Sequence, residues 1–536
     1  MNKANFKIFL PIIFALTLTI GIFVGSRMSN SGGIGSLFSV NYSNKDKIND
    51  VINLILNDYV DSIGRNQVTE NTITALLSNL DPHSAYIPAQ DLVAIKESMQ
   101  GNFFGIGIQF RVWNDSVVVI KVIDDGPSML GGIKAGERLV KADGIDLTRG
   151  MSNDSIMLLL KGPKGTTVKI SVYNLVDKKL RVVEIKRDAI PYASILASYL
   201  IKDSIAYIKI DRFAATTYQE FSTALIDLGL KNFNTVIVDI ENNGGGFLST
   251  AIQITDDFLP KGALIVYTKG RNRQQESSYA TEHESLKGKK LYILTNEMSA
   301  SASEIFAGAI KDNDRGIIVG RRTFGKGLVQ EQVDLPDNSA IRLTIARYYT
   351  PSGRCIQKSY SHGASSYYQE IANRYSKGEL TNSDSANFSS KEIFKTKAGK
   401  IVYGGGGITP DIFVPIDTSG DYSYFNDLRN TGVFYDFAFY YIDKNRNAIM
   451  KKYPKEDDFI NRFIVSKEMT SRLFANAAAD KIKFKKPLSN KTFNEIKISL
   501  KAQIASDIYG ENAYYKTLNS LDNIYNTALK AINKKL

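Results

Sequence analysis

Between Ile190 and about Pro415 a strand-sized apolar run, a turn and a helix-sized segment follow one another repeatedly, and this alternation most limits what the chain can fold into. Ile205–Ile210, Val236–Ile240, Leu291–Thr295 and Ile317–Val319 read as strands, and Tyr218–Leu228, Leu248–Phe258 and Ser303–Ile310 as helices. Strands joined through crossover helices run parallel, so the expected fold class is α/β with a layered core.

At 536 residues the chain is too long for one hydrophobic core and should divide into about three or four domains. Residues 99–187 have a different texture. Short β-rich runs (Ile106–Val112, Val117–Val122, Thr167–Val172, Arg181–Ile185) surround one amphipathic helix near Asn153–Leu160, so a small, mostly β domain is expected there. The core is expected over 188–415, preceded by a helical region over 45–98 and followed by a mainly helical one over 416–536. In the first, Ile48, Val51, Ile52, Ile55 and Leu56 fall on one helical stripe, and a second helix over Thr69–Leu80 stops before Asp81-Pro82. In the last, Leu518, Leu521, Tyr525, Leu529 and Ile532 form a stripe suited to packing against the body. Both helical ends are candidates for self-association.

Lys3 and Lys7 flank the start of an apolar stretch, Phe6–Val24, long enough to cross a bilayer as a helix. Residues 1–28 therefore read as a membrane anchor or signal segment, and 29–44, rich in Ser, Gly and Asn, as a flexible linker. No small-x-small cleavage site stands near Gly25–Ser36, which favours a retained anchor over a cleaved signal. The expectation is an exported protein, held in an inner membrane with its bulk on the periplasmic side.

The net charge of +12 is concentrated late: from Lys451 onward 17 Lys and Arg face 9 Asp and Glu, a difference of +8. No nucleic-acid motif accompanies it, so a solvated helix surface is the expected reading. Cys355 is the only cysteine and the three histidines (His83, His283, His362) lie far apart, which excludes an internal disulfide and multi-cysteine zinc sites. No metal and no organic cofactor is expected.

Two strand-to-helix turns carry the chemistry. Asn242-Asn243-Gly244-Gly245-Gly246 exposes backbone N–H groups at a helix start, which suits an anion or a developing oxyanion, though such a turn is often only structural. Ser299-Ala300-Ser301-Ala302-Ser303-Glu304 is the second. Capping explains Ser299 or Ser303, but a serine between two alanines offers an open nucleophile, with the N–H of the following residue, Ala302, placed for an oxyanion. The nearest base is Lys326, flanked by Gly325 and Gly327. A lysine is protonated at its ordinary pKa of about 10.4, and burial in an apolar cleft can lower that by several units. Gln330, four residues on, can orient the amine. The competing reading of Lys326 is an exposed surface charge.

Ser299 through Glu304, Thr323-Phe324-Gly325-Lys326-Gly327 and Gln330 together resemble the signature of the carboxyl-terminal processing peptidases, the tail-specific proteases with a PDZ domain, including the intervals 326 − 301 = 25 and 330 − 326 = 4. Leu80-Asp81-Pro82-His83-Ser84, Arg347-Tyr348-Tyr349-Thr350-Pro351-Ser352-Gly353 and Gly407-Ile408-Thr409-Pro410-Asp411 agree with it, so the likeness spans roughly 45–415. The resemblance implies a ClpP/crotonase-like core with an inserted PDZ domain. It implies Ser301 as nucleophile, Lys326 as general base, Gln330 as its orienter, and an oxyanion held by the N–H of Ala302 and of Gly244 or Gly245. It also implies that Phe104-Gly105-Ile106-Gly107-Ile108 is the carboxylate-binding loop of the PDZ domain, with protein or peptide substrates bearing exposed carboxyl termini as partners. Family members usually carry arginine where this chain has Glu241. Two other readings compete: an inert PDZ adaptor built on the same folds, and an acyl-CoA enzyme, which leaves the serine and lysine unexplained. None of the histidines has a partner motif for a histidine triad.

Overall fold

The computed structural model describes residues 46–534 apart from positions 114, 149, 176, 203, 284, 383–391, 421 and 483–486. The apolar stretch Phe6–Val24 and the linker lie outside the described residues. Among the described residues no helix is long and apolar enough to cross a membrane.

The chain divides into two units at Leu77. The first holds helices Lys47–Asp58 and Arg65–Ser78. The second helix begins a turn earlier than expected and stops at Ser78, short of Asp81-Pro82, because the residue before a proline is pushed out of the helical region. Of the expected stripe, Ile52 is buried while Ile48 and Val51 remain exposed.

The second unit contains the layered core. Its main sheet has six strands in the order Ile195–Ile201, Ile205–Ile210, Thr235–Asp239, Lys290–Thr295, Ile317–Gly320 and Ile412–Phe413. The first two form an antiparallel hairpin and every later pair is parallel. Ile205–Ile210 and Thr235–Asp239 are buried at every position, as parallel strands covered on both faces must be. Helices Thr217–Leu228, Leu248–Asp256 and Ala302–Asp312 cover one face, with Phe221, Phe258 and Phe306 in the core beneath them. The other face is closed by the last helix, Asn523–Asn533, whose Ile524, Tyr525 and Ala528 pack on Tyr207, Ile237 and Leu294. The stripe expected to pack on the body does so through Tyr525, Leu529 and Ile532.

A second sheet joins Ala85–Ile87, Ala340–Tyr349, Leu264–Lys269 and Glu276–Tyr279, with Leu328–Asp334 also paired to Ala340–Tyr349. Ala85 pairs with Arg342, so a segment preceding the β domain is built into the core that follows it. The β domain is an insertion. Its entry strand Asn102–Gly105 pairs antiparallel with its exit strand Asp188–Pro191. Between them lie the strands Ile108–Trp113, Ser116–Val122, Arg138–Ala142, Thr167–Asn174 and Lys179–Lys186 in one sheet, with the expected helix Asn153–Leu160 capped by Ser152.

The helices Ser423–Asn430, Val433–Lys452, Glu456–Arg462, Lys467–Ala479, Asn490–Tyr509 and Glu511–Leu518 surround their own core, which includes Phe437, Phe459, Leu473, Ile496 and Leu500. Its helix Val433–Lys452 meets the β domain through the ion pairs Arg111–Asp436 and Arg138–Asp443, and through Trp113 against Phe439 and Tyr440.

Candidate active site

Ser301 stands at the start of helix Ala302–Asp312 with φ 57° and ψ −114°, a conformation a side chain resists at a cost of about 1–3 kcal/mol. It persists because its backbone groups are held. The N–H donates to Glu304 Oε2 (2.9 Å), and the carbonyl accepts from the N–H of Glu304 (2.8 Å) and Ile305 (3.0 Å) and from the Tyr348 hydroxyl (3.1 Å). Its serine neighbours are structural. Ser299 Oγ donates to the Ile240 carbonyl (2.8 Å) and Ser303 Oγ to the Asn243 carbonyl (2.9 Å), both side chains fully buried, so they tie this turn to the glycine turn. Ser301 alone of the three reaches solvent.

The glycine turn leans directly on that serine. A Cβ on Gly245, at φ +100°, would lie 2.7 Å from the Ala300 carbonyl oxygen, 2.8 Å from Ser301 Cβ and 2.9 Å from Ala302 N. Asn243 shapes the turn: its Nδ2 donates to the Ile210 carbonyl (2.9 Å) and its Oδ1 accepts the N–H of Gly245 (2.8 Å). Gly245 thus spends its N–H on Asn243 and supplies close approach instead of a free donor. The N–H groups of Gly244 and Ala302 have no acceptor among the described residues.

Glu304 joins the serine to the lysine, a role that only the fold makes visible. Its fully buried carboxylate accepts from Thr323 Oγ1 (2.5 Å) and the N–H of Gly325 (2.7 Å) at Oε1, and from the N–H of Lys326 (2.8 Å) and Ser301 (2.9 Å) at Oε2. Burial pushes its pKa upward while these four bonds pull it back. Tyr348, itself buried, bridges the same two residues, its hydroxyl lying between the carbonyls of Ser301 and Lys326.

The Lys326 amine donates to Gln330 Oε1 (2.9 Å), and Gln330 Nε2 donates to the His83 carbonyl (2.6 Å). Lys326 precedes the strand Leu328–Asp334 and that strand shifts register between Val329 and Gln330, so the two side chains meet through a bulge and not through simple alternation. Burial lowers the Lys326 pKa to about 8; the Arg342 cation adds to the shift, and Glu304 and Asp81 oppose it. His83 belongs to the same cluster. Burial, reinforced by the Lys326 charge, holds its imidazole down to about 4, and the ring bonds the Tyr367 hydroxyl (2.8 Å). Asp81 folds this segment against the strand Ala340–Tyr349, accepting from the N–H of His83 and Ser84, from Ser84 Oγ and from Thr344 Oγ1. The Asp-Pro turn chemistry was legible in the sequence, but its target was not. His283 and His362 make no contact with this cluster among the described residues.

In the β domain, Phe104 and Gly105 lie in the entry strand, Ile106 is buried, and Gly107 turns the chain at φ +75° into Ile108–Trp113. That strand is an edge of its sheet, open to an added strand. Among the described residues no cluster of His, Cys, Asp or Glu suits a metal ion.

Comparison with known proteins gives three family matches. The family model for peptidase family S41 matches residues 204–363, the PDZ domain model matches 105–186, and a family of unknown function (DUF8443) matches 424–510. The carboxy-terminal-processing protease of Bartonella bacilliformis is 34% identical over 322 residues, covering 59% of this chain and 73% of that one. The carboxy-terminal processing protease CtpB of Bacillus subtilis is 31% identical over 319 residues, covering 58% and 65%. Among solved structures, the photosystem II D1 C-terminal processing protease is 24% identical with a TM-score of 0.35, covering 69% of this chain and 86% of that one, a likeness too loose to carry an argument. The peptidase match falls on the very segment that holds the serine turn and the lysine loop, and the chain belongs to peptidase family S41, the carboxy-terminal processing proteases, as a serine-type peptidase with a PDZ domain.

Proposed function

We propose that the chain cleaves proteins at or near their carboxyl termini with Ser301 as nucleophile and Lys326 as general base, on a crotonase-like core. In this reading the neutral Lys326 amine takes the Ser301 proton as Oγ attacks the scissile carbonyl. The N–H groups of Ala302 and Gly244 hold the oxyanion. Lys326 then returns the proton to the leaving amine, and water, activated by the same amine, hydrolyses the acyl-enzyme. Gln330 orients Lys326. The observation that carries the reading is the single buried carboxylate of Glu304, which fastens the backbones of Ser301 and Lys326 to each other while burial keeps the lysine pKa near about 8.

The sign of the pH dependence follows. Below its folded pKa Lys326 is an ammonium and cannot accept a proton, so kcat/KM should rise about tenfold per pH unit on the acid side and level off above about 8. A profile flat between pH 6 and 9 would remove Lys326 as the base. Gly245→Ala should lower kcat on the order of 10²–10³-fold, because its methyl group must displace the turn that aims the Gly244 N–H; kinetics on a short peptide measures it.

The PDZ domain takes the substrate tail as a strand beside Ile108–Trp113, its terminal carboxylate at Phe104-Gly105-Ile106-Gly107-Ile108. The apolar stretch Phe6–Val24 supports export and membrane anchoring of the whole. The reading is tested with peptides ending in a free carboxylate or an amide, together with a serine-directed acylating probe. Labelling of Ser301 and faster cleavage of the free-acid peptide are expected. An unlabelled protein would sink the catalytic assignment, and equal cleavage the tail recognition.

A further inference from the structure

The helix Val433–Lys452 carries two adjoining faces, and Tyr440 stands where they meet. On the first, Asp436, Phe439, Tyr440 and Asp443 follow the spacing of one helical side. They meet the β domain: Asp436 pairs with Arg111, Asp443 with Arg138, and the Trp113 ring lies 6.2 Å from that of Phe439 and 6.3 Å from that of Tyr440. On the second, Tyr440, Tyr441, Lys444, Ala448 and Lys452 line one wall of a cleft of about 470 Å³. Ile464, Met469 and Arg472 belong to the opposite wall.

The cleft has an aromatic floor and a cationic rim. Phe437 and Tyr441 stack at 6.3 Å, with Phe463 edge-on to Tyr441. Ile464 is 82% exposed, an apolar side chain left in water between buried Phe463 and Val465. Of the charged groups on the walls, Lys444, Lys452 and Arg472 outnumber Glu468, which Arg472 engages at 2.8 Å. Lys444 donates to the Tyr440 hydroxyl (2.5 Å) and Lys452 lies over the Tyr453 ring (5.2 Å). Both lysines are exposed, and neither has a carboxylate partner among the described residues. Two spare ammonium groups above an apolar floor fit a segment that carries carboxylates beside an apolar side chain.

The position of the cleft says which segment that is. Ile108–Trp113 is an edge strand, with Ile108, Phe110 and Val112 packed on the core of the β domain and Arg111 and Trp113 turned to the helix. A tail with its carboxylate at Phe104–Ile108 must run backward along that strand. Its last residue then lies by Ile108 and about the sixth from its end by Trp113. The substrate chain leaves the strand beside Tyr440, where the cleft begins.

We propose that this cleft is a second substrate subsite, which takes an acidic segment with an apolar anchor lying upstream of the captured tail. The inference rests on Ile108–Trp113 being the strand that takes the tail. Lys444 and Lys452 are about 12 Å apart along the helix. An extended chain covers that span in about four residues, so carboxylates about eight to eleven residues before the end of the substrate reach them. An apolar side chain between those carboxylates covers Ile464.

The test compares kcat/KM for two substrates that share a scissile segment and a tail. One carries two acidic residues with a leucine between them at that distance, the other serines, and each is made as free acid and as amide. The acidic free acid should be cut about threefold to tenfold more efficiently than the serine one, through KM. About 0.5 M salt should shrink the difference, because it screens exposed charges. In Lys444→Glu with Lys452→Glu the ratio should drop to one or below, with melting as the folding control. Ile464→Ser should remove the preference for leucine over serine between the acids. A free-acid preference that persists while the acidic substrate gains nothing overturns the subsite alone, and so does an acidic preference that survives the double variant. Equal cleavage of free acid and amide sinks the tail reading and the subsite with it.

Discussion

Ser301→Ala should abolish peptide hydrolysis, with kcat falling on the order of 10⁴-fold or more, while the melting temperature stays where it is. The backbone at Ser301 is held by Glu304, Ile305 and Tyr348 through main-chain groups that alanine retains, so the turn survives without the hydroxyl. Lys326→Met and Lys326→Arg should each cost as much. The arginine variant is the sharper of the two, because a guanidinium keeps the positive charge and yet cannot take up a proton near neutrality. If Lys326→Arg retained activity, the lysine would be serving as a charge and not as a base. The double variant Ser301→Ala with Lys326→Ala should be no slower than either single variant, since groups that act in one proton transfer lose their effect together. Kinetics on a single peptide, with circular dichroism as the folding control, checks all of these variants.

Glu304→Leu is expected to be the most damaging substitution outside the proposed Ser301–Lys326 pair. It strands the N–H groups of Ser301, Gly325 and Lys326 and the Thr323 hydroxyl in a buried space. An unsatisfied buried donor costs about 1–3 kcal/mol, so the core should lose at least about 4 kcal/mol and the site its geometry. Glu304→Gln separates the carboxylate's two roles. Its one remaining oxygen serves half of the donors and its amide nitrogen opposes the rest, so melting should fall between parent and leucine variant. It also removes the anion that holds the Lys326 pKa up, so whatever activity remains should have its acid limb moved to lower pH. An unmoved limb with an unchanged melting temperature would mean that Glu304 is not the joint between serine and lysine. Because the chain has several domains, the comparison is made on the transition of the peptidase core, not on a single global midpoint.

Much of this was legible in local patterns. The strand–turn–helix alternation set out the parallel sheet, and Leu291–Thr295 and Ser303–Ile310 fall within one or two residues of the observed strand Lys290–Thr295 and helix Ala302–Asp312. Parallel strands are buried on both faces, so they announce themselves as continuous apolar runs. The second sheet did not, because its strands carry polar residues on an open face and pair across long gaps, Ala85 with Arg342 being the extreme case. The spacing of Ser301, Lys326 and Gln330 was visible in the sequence, but the register shift at Gln330 was not. Likewise Gly244 and Gly245 looked equivalent until the Asn243 side chain was seen to occupy the N–H of Gly245.

By itself the sequence determined which residue types stand at which turn: a serine between alanines, a lysine between glycines, a run of three glycines after a buried strand. Propensity, periodicity and turn chemistry act over a few residues, and that is as far as they reach. Only the tertiary structure decided that one glutamate holds serine and lysine together, that an Asp-Pro-His-Ser turn from before the inserted domain supports Gln330, and that the last helix packs on Tyr207, Ile237 and Leu294 of the main sheet. Most of these contacts join groups far apart along the chain, set by burial and by the requirement that every enclosed donor find an acceptor.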